Sequence, residues 1–231
     1  MLIKPALMVI FFLMVMFGSA YAVHRHLPDQ HNPLKLLDLS DPIGWATSAK
    51  LANLEGDPQA CFSLLDAGGI EYDKLQDGEA DDPCGLSDAL FLKRSDVPYS
   101  APVKLSCPLA ASLALWERQV LQPAAEEYLN TSIERIETYG SFSCRRINGR
   151  SSGRWSEHAT ANAIDIAGFR MADGRRVAVL SDWDDGAETG QFLEAVFRGA
   201  CSVFDAALGP NYNAAHANHF HFDRGPWNTC K

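Results

Sequence analysis

The order of apolar and polar positions divides the chain into three stretches. Ala6–Phe17 is a near-continuous apolar run, and Lys4 is the only charge before His24. Val23–Ser48 carries Pro28, Pro33 and Pro42, shows little periodicity and reads as a linker. Periodic segments fill residues 49–231. Asp57–Leu65 opens on an acid and a proline and continues at helical spacing. Gln76–Gly85 is rich in turn residues. Leu109–Leu129 is the clearest helix, with Leu113, Leu115, Trp116, Val120 and Leu121 on one face and Pro123 expected to kink or interrupt it. Ser132–Ser143 fits a strand with Ile133, Ile136 and Tyr139 inward. Ala163–Phe169 alternates, Met171-Ala172-Asp173-Gly174 makes a turn, and Arg176–Leu180 returns as the second strand of a hairpin. Gly190–Leu208 is expected as an amphipathic helix stopped by Gly209-Pro210, and His219–Phe222 as a short strand. Strands and helices in mixed order predict an α+β fold: an antiparallel sheet flanked by helices, with a helical N-terminal part.

Composition narrows the setting. The chain has 231 residues, 47% hydrophobic and 21% charged, which suits one globular domain. The formal net charge is -9 and no basic stripe runs along the sequence, so nucleic acid is not an expected partner. Residues 1–22 read as a leader outside the fold. Ala20-Tyr21-Ala22 resembles a signal-peptidase site, yet the charge-free run also reaches the lower range of a spanning helix. A cleaved signal peptide and an uncleaved membrane anchor both stand, and either one exports the rest. Six cysteines, Cys61, Cys84, Cys107, Cys144, Cys201 and Cys230, agree with an oxidising compartment. None has Cys-x-x-Cys spacing. The pairs expected are Cys61–Cys84, Cys107–Cys144 and Cys201–Cys230.

The chemistry concentrates in two short segments. Ser156-Glu157-His158 to Asp165 supplies one imidazole and one carboxylate, and His216-Ala217-Asn218-His219-Phe220-His221 supplies a His-x-His pair. Residues two apart in a strand share a face, so His219 and His221 project together if Phe220 faces the core. Two imidazoles, one carboxylate and an open position for water make a catalytic zinc set. The sheet is therefore expected to carry a zinc site. Other schemes fit poorly: the sequence has no His-Glu-x-x-His and no Gly-x-x-x-x-Gly-Lys.

Ser156-x-His158-x-x-Ala161-x-Ala163-x-Asp165 and His219-x-His221 resemble the Ser-x-His-x-x-Gly-x-Ala-x-Asp and His-x-His motifs of the lysostaphin and D-Ala-D-Ala metallopeptidase superfamily. More closely, Ser143-Cys144-Arg145, His158, Asn162–Phe169, Gly209-Pro210 and His221-Phe222-Asp223 resemble the bacterial extensin-like C-terminal domain family, over most of residues 51–231. The Ser-Pro-rich repeats of plant extensins are absent. The superfamily resemblance implies zinc on His158, Asp165 and His221, with His219 in proton transfer. Superfamily members that cut D-alanyl dipeptides carry Glu three residues before the last His. Asn218 stands there, so the endopeptidase pattern fits better.

The resulting expectation is a periplasmic domain, soluble or held at the inner membrane by its N-terminal segment. It would use zinc-activated water to cut peptidoglycan cross-link peptides. His219 would move the proton, and His216 would contact substrate or support the site. Arg145 or Arg146 would hold an oxyanion or a substrate carboxylate. A non-catalytic envelope or peptidoglycan-binding module is the alternative, and an amidase a third reading.

Overall fold

The computed structural model describes residues 3–79 and 81–231. Helix α1 spans Ile3–His26, and its described side chains from Leu7 to Phe17 are exposed. Leu7–His26 is long and apolar enough to cross a membrane, with mean hydropathy 2.0. The stretch expected as a linker, 23–48, differs from that expectation. Leu39 and Ala46 are buried, and the Lys50 ammonium donates to the carbonyls of Asp29 (2.6 Å) and Leu36 (3.3 Å). Its prolines give it no periodicity, but its few apolar side chains still find the core.

Helices α2 (Thr47–Asn53) and α3 (Pro58–Ala67) lead into an antiparallel three-stranded sheet of β1 (Glu71–Lys74), β2 (Ala89–Arg94) and β3 (Val103–Ser106). Helix α4 (Cys107–Trp116) is capped by the Ser106 hydroxyl, which accepts from the Leu109 N–H, and α4 is buried on almost every side. Pro123 does not break the helical run. A π-turn at Glu117–Leu121 widens the backbone ahead of it, and Pro123 then sits in the first turn of α5 (Gln122–Leu129), where its missing N–H costs least.

The main sheet has six strands. β4 (Ile133–Gly140), β5 (Ala163–Met171), β8 (Phe220–Asp223), β7 (Ala206–Leu208) and β9 (Thr229–Cys230) lie in that order, and β6 (Arg176–Ala178) also pairs with β5. All pairings are antiparallel except β7 with β9. One face packs on α7 (Glu188–Ala200) and α4. Phe169 meets Phe192 edge-on at 5.4 Å, Phe197 lies 5.3 Å from Phe220, and Trp116 meets Phe222 at 5.5 Å. The fold is thus α+β with antiparallel sheets, as expected.

Two boundaries move. The helix expected over 190–208 ends at Ala200, because Ala206–Leu208 pairs with β8 and β9. The strand expected to Leu180 ends at Ala178, where the short helix α6 (Val179–Asp182) begins. The disulfides are Cys61–Cys107, Cys84–Cys144 and Cys201–Cys230. Only the third matches the expected pairing. The chain between Cys61 and Cys107 folds out and back as the small sheet. This brings α3 beside α4 and leaves Cys84 to reach Cys144.

Candidate metal centre

The site forms on the face of the main sheet opposite the aromatic core. Along β8 the side chains alternate: Phe220 and Phe222 are fully buried, while His221 and Asp223 point to the other face, with His219 just ahead of the strand. On β5, Ile164 and Ile166 are buried, and Asp165 stands directly across from His221 in the ladder. His158 arrives from a 3-10 turn, Glu157–Thr160, in which the Ser156 hydroxyl accepts from the His158 N–H. Ala161 ends that turn in the left-handed conformation at φ 56°, so the chain reverses into β5 within two residues.

Three donor atoms converge. His158 Nε2, Asp165 Oδ1 and His221 Nδ1 are separated by 3.3, 3.0 and 3.2 Å. Atoms bound about 2.0–2.1 Å from a tetrahedral zinc stand about 3.3 Å apart. The tautomers agree with this reading. His158 Nδ1 faces the Ser141 carbonyl at 3.0 Å, so it carries the hydrogen and leaves Nε2 bare. His221 Nε2 lies 3.0 Å from Asp223 Oδ2, so it keeps its hydrogen, and Nδ1 becomes the donor nitrogen once the ring loses its second proton. Gly140, at φ 118°, makes the bend after β4 that presents the Ser141 carbonyl. Three lone pairs aimed at one point repel one another unless a cation or proton lies among them. The group could hold a metal ion.

Charge on these residues follows their surroundings. Burial alone would raise Asp165, but the His158 and His221 rings beside it outweigh burial and hold the carboxyl well below its usual range. Burial would lower His221, yet the Asp165 and Asp223 carboxylates push it up to about 9. A metal ion entering there displaces that proton.

The other expected residues surround this group. His219 Nε2 is 3.5 Å from Asp165 Oδ1, and its Nδ1 donates to Asn218 Oδ1 at 2.8 Å. Burial lowers its pKa in spite of Asp165. Tyr139 meets the His219 ring edge-on at 5.8 Å. The His216 ring lies 5.3 Å from that of His219, tilted by 40°, and burial and then the neighbouring imidazoles bring it down to about 4. Arg145 and His216 both line the open cleft above the donors, of about 940 Å³, together with Trp155, Tyr212 and Trp227. Arg146 does not line it and instead lies over the Trp155 ring.

Asp223 is not among the residues to which the sequence motifs assign a role. Its signal was the same period of two that marked the histidines, since His219-x-His221-x-Asp223 puts all three on one face. The Ser141 carbonyl left no side-chain signal.

An α+β domain whose sheet presents a His/Asp/His group able to take a divalent ion is the class that fold and site define. The family model described as extensin-like protein C-terminus matches residues 59–231, and the chain belongs to that family. No curated protein and no solved structure matches the chain.

Proposed function

We propose that this domain is a zinc-dependent hydrolase that cuts peptide cross-links of peptidoglycan in the periplasm. One observation carries the reading: the inward ring nitrogens of His158 and His221 and an oxygen of Asp165 lie within 3.0–3.3 Å of one another, close to the edge length of a zinc tetrahedron. Likeness to the lysostaphin-type motifs supports it. His158, Asp165 and His221 occupy the ligand positions, and Ala161 takes a left-handed conformation where that motif has glycine. The apolar N-terminal helix and the disulfides suggest an exported domain, which would stand beside the cell wall.

Zinc in such a site supplies Lewis acidity, making water a nucleophile near neutral pH and polarising a carbonyl. The chain's own residues do the rest. Asp223 and the Ser141 carbonyl fix the rings of His221 and His158, so their donor nitrogens need no reorientation. His219 is held neutral with Nε2 toward the cleft, so it takes a proton from the attacking water and returns it to the leaving amine. Arg145 supplies a guanidinium for a substrate carboxylate or the developing oxyanion. His216 stays uncharged at neutral pH and lines the wall beside His219.

A second reading is a wall-binding module without catalysis, for which the cleft above His158 and Asp165 is a ligand site only. Muropeptide mapping after incubation with the full chain decides between them. Loss of cross-linked species with zinc, none with chelator, and none with His158→Ala is expected. Unchanged profiles from metal-loaded, wall-bound protein would favour the binding module, and full cleavage under chelator would remove zinc from the mechanism.

A further inference from the structure

Residues 143–158 form a hairpin arm that rises beside the metal centre. The Ser143 N–H donates to the His158 carbonyl (2.9 Å), Ser156 to Arg145 (3.1 Å) and Ile147 to Arg154 (3.1 Å), and Arg146 bridges to Trp155. One leg of the arm ends at His158 itself. The other begins beside Cys144, which is bonded to Cys84.

The arm carries Arg145, Arg146, Arg150 and Arg154, and has no Asp or Glu from Ser143 to Ser156, in a chain of net charge -9. Among the described residues, none of these four arginines forms an ion pair. Two are held in place by indoles: Arg146 lies 4.3 Å over Trp155 and Arg154 lies 4.3 Å over Trp227. Arg145 and Arg150 are exposed. Uncompensated positive charge on a preorganised arm is costly in isolation and complementary to an anionic ligand. The arm also shares the cleft: Arg145, Ile147, Asn148 and Trp155 line it with His158 and Asp165.

We propose that the arm binds an extended, carboxylate-bearing chain that runs out of the metal cleft along Arg145, Arg150 and Arg154. A guanidinium over an indole keeps its edge N–H groups free. A planar carboxylate meets that edge with two parallel hydrogen bonds. This rests on the cleft being a ligand site and does not require that anything be hydrolysed there.

The test uses the full chain in neutral detergent and fluorescent poly-L-glutamate, read by anisotropy, with and without zinc. Saturable binding that weakens with added salt is expected in both states. Arg150→Gln with Arg154→Gln is expected to weaken it about tenfold or more, with zinc stoichiometry unchanged. The Arg150 side chain is exposed and forms no hydrogen bond or ion pair among the described residues, so Arg150→Gln alone keeps the fold and is expected to weaken binding in the same direction. No binding of polyglutamate, equal binding by the variants, or tighter binding of polyphosphate would overturn the proposal. Binding without cleavage would leave it intact and count against the hydrolase reading alone.

Discussion

At His221 the two ring nitrogens have separate duties: Nδ1 faces the donor group, and Nε2 donates to Asp223. Asp223→Asn keeps the shape and removes the charge that fixes the tautomer. Zinc affinity is expected to fall about 10–100-fold, as read by competition with a chromophoric chelator. An unchanged affinity would show that His221 needs no orienting partner. A second buried acid acts on stability. Glu117 is fully buried in the π-turn and accepts from Ser95, Val97 and Tyr99, and burial raises it to about 7. Below its ordinary value the carboxyl is neutral in both folded and unfolded chains. Between there and about 7 only the unfolded chain loses the proton, so stability falls as pH rises, by up to about 3 kcal/mol. Melting temperatures from pH 5 to about 8 should show that decline, and Glu117→Gln should flatten it.

Among the elements, β8 was the easiest to read and the most consequential. Its alternation put Phe220 and Phe222 inward and the polar residues outward, and that same alternation built the site. The small sheet was not legible. β1 is mostly exposed, and its pairing with β2 spans residues that read only as turns. The end of α7 was misread for a related reason. Val203 and Phe204 keep helical spacing, but the Asp205 N–H donates to the Asp223 carbonyl and a strand follows. Tertiary pairing overrode local period there. The small sheet has a consequence for the centre, because its long connection carries Cys84 to Cys144 at the root of the arm. Replacing both cysteines with serine should free the segment that supplies the Ser141 carbonyl. Zinc affinity is then expected to drop several-fold while the remaining disulfides keep the domain folded. An affinity equal to wild type would limit that disulfide to stability.

For the molecule as a whole, the sequence picked out His158, Asp165 and His221, which the fold brings together as a group that could hold a metal ion, because metal chemistry tolerates few residue types and fixed spacings. It missed what depends on distant backbone: two disulfide partners, the Ser141 carbonyl, and the packing of residues 23–48 onto the domain. It also averaged away the arginine arm, since a net charge of -9 conceals a local run of four cations. The packed segment after α1 joins the exposed apolar helix to the domain by a short ordered path. If that helix stays uncleaved, it tethers the domain to the membrane. All of this depends on a metal ion sitting among His158, Asp165 and His221. Calorimetric titration of the metal-stripped full chain with zinc measures it directly. One ion bound per chain, lost in Asp165→Ala, is the expected result; no binding, or equal binding by Asp165→Ala, would contradict it.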